Sequence, residues 1–78
     1  MDKKEYAELA QQRFGARMRQ IRDSIKPKLT QEALADIAGL DRSYTGKVER
    51  GEKNVSLVNI NRIADALKIE PAELFRDG

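Results

Sequence analysis

Between Thr30 and Gly51 the chain reads TQEALADIAGLDRSYTGKVERG, a stretch punctuated too closely for one long helix and too regularly for a loop. Thr30 is a good N-cap for a helix that begins at Gln31, and Gln31 and Glu32 suit its first turn. Gly39 stands where a left-handed residue ends such a helix after Ala38. Asp41 is expected to cap the next helix through Arg50, and Gly51 to end it in the same way. Any fold for this chain has to accommodate two short helices joined by a tight glycine turn.

The flanks read as helix too. No window alternates like a strand, and apolar residues recur at three and four. Phe14, Met18, Ile21 and Ile25 mark a first helix over residues 4–25, stopped by Pro27. Ser56 caps a fourth helix carrying Leu57, Ile60, Ile63, Ala64 and Leu67. EPAELF places proline in the first turn of a short fifth helix. The expectation is an all-α, compact five-helix fold, with residues 1–78 forming a single domain. A chain of 78 residues buries only about 60–65% of its unfolded surface, and domains this small often oligomerise. Without cysteine or histidine no disulfide or ordinary zinc site is expected. No apolar run approaches the ~20 residues of a membrane span, and MDKKEYAELAQQ is no secretory leader, so a soluble cytoplasmic protein is expected.

Two short helices around a glycine turn make a helix-turn-helix motif, here at about residues 31–50. Ala35 falls where the helices cross, and Leu40 plugs the turn into the core. Thr45 and Val48 face inward. Ser43, Lys47 and Arg50 face outward behind Arg42 at the leading end, a face suited to base edges and phosphates. Net charge is only +2, but residues 1–28 hold eight Lys/Arg against four Asp/Glu. Such a basic end is either a nucleic-acid footprint or a solvated helical surface.

LTQEALADIAGLDRSYTGKVERG followed by NVSLVNINRIADALKIEPAELF resembles the Cro/repressor-type (Xre-like) helix-turn-helix family over residues 14–75. GLDRSY and VERGEKNVSL are most similar to the controller proteins of restriction–modification systems. The resemblance implies a homodimer that sets its third helix in the major groove of an operator in double-stranded DNA. Dimerisation would run through the last two helices, about residues 55–76. Gln31 matches a glutamine that anchors the second helix to a phosphate. Arg42, Ser43 and Tyr44 match the leading end of the reading helix, and Arg50, Lys53 and Asn54 match backbone contacts beyond it. Thr45 stands where isoleucine or valine is usual, Gly46 lies inside the reading helix, and IKPKL lengthens the first link. Glu49, one turn after Thr45, faces inward and needs a partner, which the resemblance assigns to Arg22.

Several residues have two readings. Arg42 either reads guanine or holds a phosphate, and Lys47 either contacts DNA or is simply solvated. Tyr44 either lies against the duplex or is an aromatic at the core edge. Gly46 either admits the DNA backbone closely or is merely tolerated. Val58, Leu74 and Phe75 either close the monomer core or form the dimer interface, and the interface is the expectation. The function expected is a sequence-specific transcription regulator on a pseudo-palindromic site. The alternative is an antitoxin-like protein-interaction module that keeps the fold. No catalytic residue, cofactor, metal, membrane or small-molecule ligand is implied, because no nucleophile–base set or phosphate-cradling glycine loop is present.

Overall fold

The computed structural model describes residues 1–77. Helix α1 (Lys3–Ser24) starts at Asp2, whose Oδ1 accepts the Glu5 amide at 2.8 Å. It stops ahead of Pro27, with Ile25 already extended at ψ 134°. Helix α2 (Gln31–Ala38) is capped by Thr30, whose hydroxyl accepts the Ala33 amide at 3.1 Å. Gly39 ends it at φ 72°, and Leu40 returns its amide to the Ala35 carbonyl at 2.9 Å. Helix α3 (Tyr44–Glu49) and helix α4 (Leu57–Leu67) follow, α4 capped by the Ser56 hydroxyl on the Asn59 amide.

Helix α3 is shorter than the helix expected from sequence, which is capped by Asp41 and runs through Arg50. The Asp41 carboxylate does not reach the helix. It accepts the Ser43 amide at 2.9 Å and the Ser43 hydroxyl at 2.7 Å, closing a local turn that competes with capping. At the far end Gly51, at φ 77°, bonds back to Val48 and hands the Glu52 amide to the Lys47 carbonyl.

The fifth helix is also different in kind. Pro71–Phe75 is a 3₁₀ helix, so the described residues contain four α-helices and one 3₁₀ turn. Leu74 is wholly buried while Phe75 is 65% exposed. Leu74 is therefore a core residue and is withdrawn from the dimer face expected for it. Leu57, at the start of α4, is 75% exposed. The core gathers Phe14 and Met18 of α1, Leu34 of α2, Val48 of α3, Ile63 and Leu67 of α4, and Leu74. These contacts hold α2 and α3 against a scaffold of α1, α4 and the 3₁₀ turn.

Candidate nucleic-acid interface

One face of α1 seats the carboxyl-terminal end of α3. Gln11, Gly15, Met18 and Arg22 recur at four, three and four, so they share that face. Gln11 Nε2 donates to the Gly51 carbonyl at 3.2 Å. Gly15 brings the two backbones so close that a Cβ there would overlap the Val48 carbonyl oxygen. Arg22 grips Glu49 with two parallel bonds, Nε to Oε2 at 2.7 Å and Nη2 to Oε1 at 3.0 Å. Both side chains are buried, Arg22 at 8% exposure and Glu49 at 2%. The Glu49 hydrogen bond raises the Arg22 pKa further, against the opposing effect of burial. Arg22 Nη1 also holds the Leu29 carbonyl at 2.9 Å, which fastens the long link to the same anchor.

From α2, Gln31 Nε2 donates to Glu49 Oε1 at 3.0 Å. The amide expected to hold a phosphate is thus engaged in the buried network. The departure at Thr45 fits the same network: its hydroxyl, fully buried, donates to the Gln31 carbonyl at 2.6 Å. A valine could not make that bond. Gly46 leaves room above it, since a Cβ would sit 3.1 Å from Gln31 Oε1 and 3.2 Å from Arg50 Nη1. No buried side-chain nitrogen or oxygen among the described residues lacks a partner.

With its carboxyl end fixed, α3 presents its amino end outward. Arg42 is exposed, and its Nε lies 3.7 Å from Asp36 Oδ1, too far for a hydrogen bond. Ser43 is exposed, its hydroxyl proton used by Asp41 and its lone pairs open. The two bonds from Ser43 hold the Asp41 carboxyl below its usual range. Tyr44 is half-buried: its ring packs on the core edge, and its hydroxyl accepts from Asn59 Nδ2 at 3.3 Å. Lys47 is half-buried and near enough to Asp41 and Glu52 to favour both carboxylates. Arg50 is exposed and donates from Nε to Glu52 Oε2 at 2.6 Å. Lys53 and Asn54 are exposed beside a shallow apolar groove of about 150 Å³ edged by Phe14, Val55 and Phe75. Val58 lies apart from these on α4, 62% exposed.

Gln11 and Gly15 were missed in the sequence. Glycine is silent in a count of apolar spacing, although Gly15 stands three before Met18 and seven before Arg22. That register was the only available signal.

The comparisons with known proteins agree with this arrangement. A family model described as helix-turn-helix matches residues 18–74. The control protein C.BamHI of Bacillus amyloliquefaciens is 48% identical over 62 residues, which cover 80% of this chain and 75% of that one. Control protein C.MunI of Mycoplasma sp is 43% identical over 65 residues, 83% of this chain and 86% of its own. The crystal structure of the restriction-modification controller protein C.AhdI from Aeromonas hydrophila superposes with a TM-score of 0.81 at 55% identity, over 86% of this chain and 98% of that one. The chain belongs to the helix-turn-helix family of DNA-binding transcription regulators, and its relatives there include restriction–modification controllers.

Proposed function

We propose that the protein binds a pseudo-palindromic operator as a homodimer and acts in the cytoplasm as the controller of a restriction–modification system. The observation that carries this reading is the exposed Arg42–Ser43 edge at the free end of an α3 whose other end is clamped by Arg22. A rigid mount at one end and exposed polar groups at the other are what a base-reading helix needs. Arg50, Lys53 and Asn54 supply the phosphate contacts, which position the duplex without reading it. Leu57 and Val58 at the start of α4, and Phe75 on the 3₁₀ turn, are large exposed apolar side chains, and self-association is assigned to them.

The protein is not an enzyme on this reading, and it uses no cofactor, metal or small ligand. Control then comes from its own concentration, through dimerisation. No helix among the described residues is long and apolar enough to cross a membrane, which fits the placement. The test is titration of the DNA upstream of its own gene and of random duplex, each over a range of salt. Operator binding is expected to be tighter by about 10³-fold or more, with both affinities falling steeply as salt rises. Absence of binding to either duplex would favour the protein-interaction alternative.

A further inference from the structure

Lys47, Arg50 and Lys53 follow one another along the carboxyl end of α3 and the loop beyond, and an exposed carboxylate, Glu52, stands among them. The other acid of this stretch, Glu49, is engaged by Arg22 and Gln31. Glu52 is fixed in place by backbone as well as side chain. Gly51 turns at φ 77°, the Glu52 amide bonds the Lys47 carbonyl at 3.0 Å, and Oε2 accepts from Arg50 Nε at 2.6 Å. That hydrogen bond, then the charges of Arg50, Lys47 and Lys53, hold the Glu52 carboxyl below its usual range.

Stability gives little reason for an acid here. A carboxylate at a helix carboxyl end opposes the helix dipole. An ion pair with partners 58% and 51% exposed contributes little to folding. The placement has its consequence at the surface, where it occupies a guanidinium.

We infer that Glu52 is an internal competitor for the DNA phosphate, occupying the Arg50 guanidinium and so setting how strongly the backbone contacts hold. The inference rests on the DNA-binding reading above. Arg50 must exchange one anion for another when a duplex docks, so its phosphate contact gains less than that of a free arginine. The released carboxylate also remains close to the duplex, which repels it. Since a phosphate contact carries no sequence information, operator and random duplex are weakened alike. Site preference stays with the amino end of α3, and overall affinity is tuned at its carboxyl end.

The test is Glu52→Gln, which removes the charge and keeps the shape. Its melting temperature is compared with the parent to confirm an intact fold. Binding to random duplex and to the upstream DNA is then titrated at several salt concentrations. Both affinities are expected to rise about five-fold per protomer at low salt, the worth of one contact between unit charges in water. The salt slope is expected to steepen by up to about 0.9 per protomer. In an Arg50→Gln background the gain is expected to shrink. Unchanged affinity, reduced affinity, or an equal gain without Arg50 would each overturn the inference. If the parent protein binds neither duplex, it is the DNA-binding reading that fails.

Discussion

Gly15 of α1 lies directly beneath the carbonyl oxygen of Val48, and no other residue type fits there without moving α3. The obstruction is backbone, which cannot swing aside as the end of a side chain can. Gly15→Ala gains roughly 1 kcal/mol of helix propensity, while overpacking at such a contact costs typically about 1–3 kcal/mol. Because the overlap is with backbone, the cost is expected to win. Chemical denaturation should show a net loss, and thermal melting a drop of several degrees. A variant as stable as its parent would contradict the close approach.

The pair formed by Arg22 and Glu49 makes a sharper demand. Three donors converge on one buried carboxylate, two from Arg22 and one from Gln31. Glu49→Ala leaves the buried guanidinium only the Leu29 carbonyl and Asp23 at 3.4 Å, and is expected to cost up to about 3–5 kcal/mol. Urea unfolding measures this directly. A loss under ~1 kcal/mol would mean that the pair behaves as a surface salt bridge.

Self-association is testable without touching the core. Leu57 and Val58 are exposed neighbours at the start of α4, so Leu57→Ser with Val58→Ser leaves the monomer packing intact. Sedimentation at micromolar concentration is expected to show a dimer for the parent and a monomer for the double variant. A parent that sediments as monomer would contradict the dimer.

How far the sequence could be read depended on where each side chain found its partner. Helix α2 was legible because its signals are local: Thr30 and Gly39 act within four residues of themselves. Asp41 misled because its carboxylate had two local partners, and Ser43 outcompeted the helix. Leu74 and Phe75 look alike as apolar residues, and only the packing of the 3₁₀ turn against α1 and α4 decides which of the two is buried. The role of Gln31 depends on Glu49, eighteen residues away, and nothing in α2 announces it. Gly15 was invisible for a similar reason, since its meaning lies in the backbone of α3. Caps with one local partner were readable, and of the contacts across elements the Arg22–Glu49 pair was reached only through the family resemblance.

On the proposed reading, the amino end of α3 reads bases while the loop beyond its carboxyl end touches only phosphate. A two-fold dimer places its two copies of α3 about 34 Å apart, so half-sites are expected about 10 base pairs apart. Binding of Arg42→Ala and Lys53→Ala to a randomised operator library, at two salt concentrations, separates the two roles. Arg42→Ala is expected to cost about 1–3 kcal/mol per half-site and to relax preference at one guanine. Lys53→Ala is expected to weaken all sequences equally and to flatten the salt slope by about 1. If Arg42→Ala instead shifts every sequence by the same factor, Arg42 holds the backbone and α3 does not read the operator as described.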